Sequence, residues 1–430
     1  MVDRNRTIAV VGASVAGASA ATAARAAGWD GRIVLIGDEP GLPYERPPLS
    51  KAVLRGEKPA ASAEVNPAST YAEQGIELLA GRTVEALDPA ARRLVLDGGE
   101  ALAFDAAVLA TGAEPRRLTV PGAELAGVHY LRTVADAEAL SAAIGAGGRV
   151  AVIGAGWIGC EVAASARQMG ADVVVIDPRP VPLERVLGPE MGAVFAGLHA
   201  DHGVVLRLGT GVAGLRGGGD GRVAEVQLTD GTSEAADLVV AGVGVLPRVA
   251  LAEAAGLPVD NGIVIDQRLR SEVPGIYAAG DVAAAWHPRY RRHLRVEHWA
   301  NALHEGRTAG ANAAGPAPGA TYDRSPYFFS DQYDLGMEYV GFGRPDDVVT
   351  VRGDVDRLAF VAFWQREGVV TAAMHVNVWD ATEGMRAIVE SGLPQDPRHL
   401  VDPDIALDDL AGPADEGGEA ACYAHLLDED

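Results

Sequence analysis

The 430-residue sequence has only two cysteines, Cys160 and Cys422. No disulfide framework can be built from two thiols, and the count suits a reducing compartment. The same scarcity excludes a Cys-x-x-Cys or Cys-x4-Cys redox centre, an iron–sulfur cluster and a cysteine-rich zinc site. Positive charge is also short, with 36 Lys and Arg against 59 Asp and Glu, a net charge of −23. That excludes a nucleic-acid binder, whose affinity rests on cations meeting phosphates, and argues against docking on an anionic membrane. Lys51 and Lys58 are the only lysines, so nearly all the positive charge is arginine. No run of about 18 unbroken apolar residues occurs, and no spanning helix is expected. The charged start, Met1 to Arg6, and the break at Gly12 predict no cleavable signal peptide and a cytoplasmic protein.

Hydrophobic residues make up 48% of the chain, which excludes global disorder, and the length suits two or three domains. The first readable unit is an apolar run, Thr7–Val11, followed by Gly12-Ala-Ser-Val-Ala-Gly17, an alanine-rich stretch to Ala27, and Gly28. It reads as strand, tight turn, helix and C-terminal glycine. Arg32–Ile36 is the next strand, closed by Gly37-Asp38-Glu39. The same grammar returns 142 residues later. Arg149–Ile153 is a strand, Gly154-Ala-Gly-Trp-Ile-Gly159 the turn, a helix runs to Met169-Gly170, and Asp172–Ile176 ends at Asp177. A second pairing, Asp105–Gly112 with Asp237–Gly244, reads as two buried parallel strands, and Pro274–Asp281 as another short strand ending in an acid.

In such a turn the first glycine permits the bend, and the second lets a pyrophosphate approach the backbone. The third lets the helix pack on the sheet, so that free N–H groups face the anion. One copy is a weak signal that an ordinary strand–helix turn would also produce; two copies, each with an acid after its second strand, point to two dinucleotide sites. In the first copy Ser14 takes the middle place, and its hydroxyl would bond a phosphate. Asp38 or Glu39 would take the ribose of the first nucleotide and Asp177 that of the second. A carboxylate at Asp177 repels a 2′-phosphate and favours NADH, while Arg179 keeps NADPH open as the minor alternative. One resident FAD and one visiting nicotinamide account for both sites, with hydride passing between them.

Further along, Gly310–Gly319 reads as a boundary, and the run Tyr327–Tyr333 is aromatic. Val348–Val351, Leu358–Trp364 and Val369–Val378 read as antiparallel strands, Glu383–Glu390 as a helix, and the acidic tail from Ala414 as a mobile end. Cys160 is expected to pack as a small apolar residue. His287 and His293 flank Pro288-Arg-Tyr-Arg-Arg292, with Arg295 beyond. No third ligand stands at metal spacing, so no metal site is expected. On an acidic chain this basic cluster is a candidate docking patch for an acidic partner, or a solvated loop.

Several strings are more specific than the glycine turns: Leu42-Pro-Tyr-Glu-Arg-Pro-Pro-Leu-Ser-Lys51, Ala110-Thr-Gly112, Trp157-Ile-Gly-Cys-Glu161, Tyr277-Ala-Ala-Gly-Asp281, Arg295-Val-Glu-His-Trp-Ala-Asn301 and Phe329-Ser-Asp-Gln-Tyr333. With them the chain resembles the FAD-dependent ferredoxin reductases of the putidaredoxin-reductase type, which are two-dinucleotide-fold flavoproteins. The resemblance covers nearly the whole chain. It implies an α/β fold with two Rossmann-like domains and a C-terminal α+β domain. The FAD domain would be residues 1–113 and 245–316, the NAD domain 114–244, and the C-terminal domain 317–430. It implies FAD contacts at Ala16, Asp38, Arg46, Lys51, Val84, Arg132, Asp281 and Trp299. The glycine turn adds Gly12, Ser14 and Gly17 to the candidate FAD site, the alternative acid adds Glu39, and the quoted strings add Thr111, Gly112 and Gly280. It implies NAD contacts at Gly154, Gly156, Ile158, Gly159, Asp177, Arg185 and Gly242. Lys51 would lie by the flavin and pair with Glu161, the two tuning hydride transfer from NADH. FAD would be held non-covalently. Single electrons would pass to a small iron–sulfur ferredoxin serving a cytochrome P450 or a ring-hydroxylating oxygenase, and the protein would be a monomer. The chain departs from the family at Tyr327-Phe328-Phe329, where Trp-Phe-Trp is typical. Rubredoxin, a quinone, monodehydroascorbate or O2 as acceptor, and a non-enzymatic flavoprotein of the apoptosis-inducing-factor type, remain alternatives.

Overall fold

The computed structural model describes residues 3–316 and 318–412, and the acidic tail expected from Ala414 lies outside them. Ile8, Ala9 and Val10 are fully buried, as are Ile33, Val34 and Leu35. Strands apolar on both faces need cover on both sides, which a parallel sheet flanked by helices supplies. The first sheet has the order Ile276–Ala278, Ala106–Leu109, Asp3–Val11, Gly31–Gly37, Ile76–Ala80, and every pair in it is parallel. The second has the order Val205–Leu208, Asp172–Asp177, Arg149–Ile153, Leu238–Ala241, Val128–His129, again parallel throughout. In both, the strand that leads into a glycine turn is central. Its neighbours are the strand after the helix on one side and a later strand on the other.

The chain passes between these sheets twice, at Ala113–Pro115 and Val245–Pro247, and the two passages pair as an antiparallel ribbon. The last sheet is antiparallel, with the order Tyr327–Gln332, Leu335–Gly341, Val369–Val376, Ala359–Arg366, Val348–Asp354. Helix Thr382–Ser391 covers it, burying Met385, Ile388 and Val389. Cys160 is buried at the start of helix Trp157–Gln168, packed among apolar side chains.

Helix Trp299–Ala314 runs through the first half of the Gly310–Gly319 stretch and ends inside it. Gly310 and Gly306 lie where that helix crosses helix Val15–Ala26. A Cβ on Gly310 would stand 2.0 Å from the Ala20 carbonyl oxygen, and one on Gly306 2.3 Å from that of Ala16. Glycines that read as punctuation are therefore the contact surface of two closely crossing helices. No helix among the described residues is long and apolar enough to cross a membrane.

Candidate active site

Both glycine turns are built the same way. Gly12 has φ +113° and Gly154 φ +105°, a region that glycine enters without a Cβ penalty. A Cβ on Gly12 would meet the Ala110 oxygen at 2.0 Å, and one on Gly154 the Gly242 oxygen at 2.3 Å. Each turn thus lies directly on the end of the neighbouring strand. Helices Val15–Ala26 and Trp157–Gln168 follow, with Ser14 and Gly156 as N-caps. Neither cap makes a side-chain capping bond, and neither first turn carries an acid. The first N–H groups of both helices are left for an outside acceptor, and the positive helix end is not neutralised.

A single cleft of about 790 Å³ is lined by the carboxyl ends of strands from both parallel sheets, where ligands bind in open α/β folds. Its first half carries Gly12, Ser14, Ala16, Asp38, Glu39, Arg46, Lys51, Val84, Thr111, Gly112, Arg132, Gly280, Asp281 and Trp299. Its second half carries Gly154, Gly156, Ile158, Glu161, Asp177, Arg185 and Gly242. Gly17 and Gly159 do not reach the wall. A Cβ there would lie 1.8 Å from the Gly12 oxygen and 1.9 Å from the Gly154 oxygen, so their bareness seats each helix on its turn. They shape the site from behind.

The acids differ in their engagement. Asp38 pairs with Arg248 at 2.8 Å, a partner 210 residues away. Glu39 accepts from the Tyr44 hydroxyl and faces Arg46 at 3.4 Å. Asp177 instead accepts two backbone N–H groups, from Ala155 at 2.8 Å and Arg179 at 2.9 Å, so the residue that ends the strand also pins the turn. The Ser14 hydroxyl points to the Tyr44 carbonyl oxygen at 3.3 Å. Arg132 reaches Asp281 at 2.7 Å, and Arg46 donates to the Arg132 carbonyl at 2.6 Å. Burial pulls the Arg132 guanidinium below its usual range.

Lys51 and Glu161 meet at 2.8 Å, both almost fully enclosed. Lys51 follows the turn Pro47–Ser50, and its ammonium also reaches the Pro47 carbonyl at 3.3 Å. Glu161 lies on helix Trp157–Gln168, one turn in from the helix start. Its two oxygens also accept from the Ser50 and Ser330 hydroxyls. A buried ion pair pays its way only when its remaining lone pairs are satisfied, and here they are. Lys51 stands 5.9 Å from the Phe329 ring. Phe328 and Phe329 both line the cleft; Phe328 packs on Trp157 at 4.7 Å and stacks on Tyr339 at 4.6 Å. Tyr327 does not line it. His298, the N-cap of helix Trp299–Ala314, is pulled down to about 4 by burial and then by Lys51, so it is neutral near pH 7.

Sequence reasoning missed Arg248, His298 and the two serines on Glu161. Ser50 and Ser330 lie inside diagnostic strings, but only their meeting across 280 residues of chain shows what they bind. The basic cluster is largely folded inward. His287 is buried and bonded to the Arg324 carbonyl, Tyr290 is buried, and Arg292 lies over the Phe342 ring at 4.6 Å. Arg295 pairs with Glu297 and donates to the Asp281 carbonyl. Within it Arg291 and His293 are exposed, so the expected patch is a packed hairpin with a small charged tip. Among the described residues no group of three His, Cys, Asp or Glu could hold a metal ion.

The pyridine nucleotide-disulphide oxidoreductase family matches residues 6–306, and the reductase C-terminal family matches residues 327–411. Rhodocoxin reductase of Rhodococcus erythropolis is 40% identical over 402 residues, covering 93% of each chain. The anthranilate 1,2-dioxygenase system ferredoxin–NAD(+) reductase component of Burkholderia cepacia is 41% identical over 402 residues, covering 93% of this chain and 97% of that one. Among solved structures, the covalent putidaredoxin reductase–putidaredoxin complex superimposes with a TM-score of 0.91 at 38% identity, over 96% of this chain and all of the other.

Proposed function

The chain belongs to the pyridine nucleotide-disulphide oxidoreductase family, and from that premise we propose that it is an NADH-dependent, FAD-containing ferredoxin reductase. The observation that carries this is one cleft holding both glycine turns, with the Lys51–Glu161 pair on its wall. The residues present fit a dinucleotide in each half. Each helix offers uncapped N–H groups to a pyrophosphate, and nothing lies within 4 Å of the Cβ position at Gly156 to block approach.

In this reading Gly12, Ser14, Asp38, Glu39, Arg46, Arg132 and Asp281 hold FAD, with Ala16, Val84, Thr111, Gly112, Gly280 and Trp299 shaping the pocket. Gly154, Gly156, Ile158, Asp177, Arg185 and Gly242 hold the nicotinamide nucleotide. FAD held there would supply hydride acceptance and release of electrons one at a time. Lys51 would hold a positive charge toward the bound flavin, and Glu161 keeps that ammonium in place. Phe328 and Phe329 restrict water at the meeting point of the two halves. The Asp177 carboxylate disfavours a 2′-phosphate, so NADH is preferred over NADPH. The acceptor is a small iron–sulfur ferredoxin serving a cytochrome P450 or a ring-hydroxylating oxygenase, as the named relatives and the putidaredoxin complex support. The division into residues 1–113 with 245–316, 114–244 and 317–430, a monomeric state and a cytoplasmic location belong to the same proposal.

The test is NADH-driven cytochrome c reduction with and without an added [2Fe–2S] ferredoxin, beside a visible spectrum. The expected result is a yellow protein, bleached by NADH, whose cytochrome c reduction depends on ferredoxin. Bleaching without ferredoxin dependence would overturn the acceptor and leave the nucleotide sites standing.

A further inference from the structure

Behind the Lys51–Glu161 pair a line of buried polar side chains runs away from the cleft. Glu161 Oε1 faces the Ser330 hydroxyl at 2.8 Å, Ser330 Oγ faces Gln332 Nε2 at 3.2 Å, and Gln332 Oε1 faces His199 Nε2 at 2.9 Å. The Tyr333 hydroxyl lies 3.3 Å from His199 Nδ1. Ser330, Gln332 and His199 are each at most 1% exposed. They come from two distant parts of the chain, Ser330 and Gln332 on the edge strand Tyr327–Gln332, and His199 on helix Glu184–Asp201.

The direction of every bond follows from one end. A carboxylate paired with an ammonium can only accept. Ser330 has one proton, and it must point at Glu161. Ser330 therefore accepts from the amide of Gln332, which turns the Gln332 oxygen toward His199. His199 must then carry its proton on Nε2, leaving Nδ1 to accept from Tyr333. Burial pulls His199 down to about 4, so its ring is neutral near pH 7 and has one proton to place. All the dipoles in the line point their positive ends at Glu161, and such chains polarise one another.

We propose that Ser330, Gln332 and His199 are positioning residues: a one-way hydrogen-bond chain that holds the Glu161 carboxylate against Lys51 and thereby helps set the reduction potential of the flavin beside that lysine. The chain rests on the flavoprotein reading for its last link only. Its positive potential at Glu161 favours the extra electrons of the reduced ring, so breaking it makes reduction harder.

Two measurements on the full-length holoprotein test this. In wild-type protein with 15N-labelled histidine, the His199 resonances, assigned by their loss in His199→Gln, should report the Nε2–H tautomer. The Nδ1–H tautomer would overturn the chain and leave the functional reading intact. Spectroelectrochemical titration of Gln332→Met, which fills similar space without the two bonds, should show the two-electron equilibrium shifted about tenfold toward oxidised flavin, about 30 mV lower. Ser330→Ala should shift it the same way, and Ser330→Thr, which keeps the hydroxyl, should restore it. Unchanged potentials in Gln332→Met and Ser330→Ala would overturn the positioning role. A purified protein without flavin would overturn the functional reading together with the potential-setting link, whatever the tautomer.

Discussion

The two glycine turns are near copies in backbone, yet they are embedded differently. Around the first, helix Trp299–Ala314 crosses helix Val15–Ala26 at Gly306 and Gly310, and its Glu305 accepts from the Gly280 N–H at 2.7 Å. Around the second, helix Trp157–Gln168 packs instead on the edge strand Tyr327–Gln332, where Ser330 meets Glu161. The acids that close the two units differ likewise, since Asp38 pairs with the distant Arg248 while Asp177 pins its own turn. Local geometry came with the motif, and division of labour came from what was packed over it. The first turn is roofed by a helix, and in the proposed reading it holds the resident group. The second is joined to the antiparallel sheet, and in the proposed reading it takes the group that comes and goes.

The largest effect should come from filling the turns. A side chain at positive φ costs about 1–2 kcal/mol before any clash, and a Cβ on Gly12 also strikes the Ala110 oxygen. Gly12→Val should emerge from purification without flavin absorbance. Gly154→Val should keep its colour and lose NADH binding, measured by titration of the nicotinamide. Equal loss of colour from both would erase the distinction between a resident and a visiting site.

Glu305 gives the next effect. It is fully enclosed, and burial raises it from 4.5 to about 8 despite the bond from Gly280. Between those values the unfolded chain has released this proton while the folded chain keeps it. The folded state therefore binds more protons, and stability falls as pH rises through that window, by up to about 1.4 kcal/mol per pH unit. Glu305→Gln should flatten the decline in Tm between pH 5 and pH 8; a wild-type decline that persists in the variant would remove Glu305 as its source.

Lys51→Met should slow flavin reduction by NADH about a hundredfold, the usual loss for one preorganised stabilising group, in stopped-flow traces at 450 nm. A rate within threefold of wild type would reduce Lys51 to packing. The smallest effect distinguishes the acids. Asp177→Ala should shrink the preference for NADH over NADPH about tenfold, roughly 1.4 kcal/mol. Asp38→Ala should leave that preference unchanged, and a shift in kcat/KM ratio for Asp38→Ala instead would exchange the two sites.

Much of this was legible in the linear order. The apolar runs ending at Val11, Ile36, Ile153 and Ile176 announce central parallel strands, because burial on both faces leaves no polar alternation. The doubled turn announces itself because its glycines answer steric demands within a few residues. The stretch from Gly310 hid its packing role, since a glycine spared for a crossing helix looks the same as one spared for a turn. The arginine cluster misled for a similar reason: Arg292 lies over an aromatic ring that is 50 residues away. His199 left no signal, because one histidine on a long helix has nothing nearby in sequence to mark it.

By itself the sequence determined the elements whose causes are local: strands, turns, helix starts, two nucleotide-type units and an acidic surface. Only the tertiary structure decided which residues meet. It brought Glu161, Ser330, Gln332 and His199 into one buried line ending at Lys51 on the cleft wall, and gave Asp38 and Asp177 different partners. The physical reason is range. Backbone sterics act between neighbours and leave a repeating mark. The satisfaction of a buried carboxylate draws on whatever donors the fold delivers, and those donors carry no mark until the chain has closed around them.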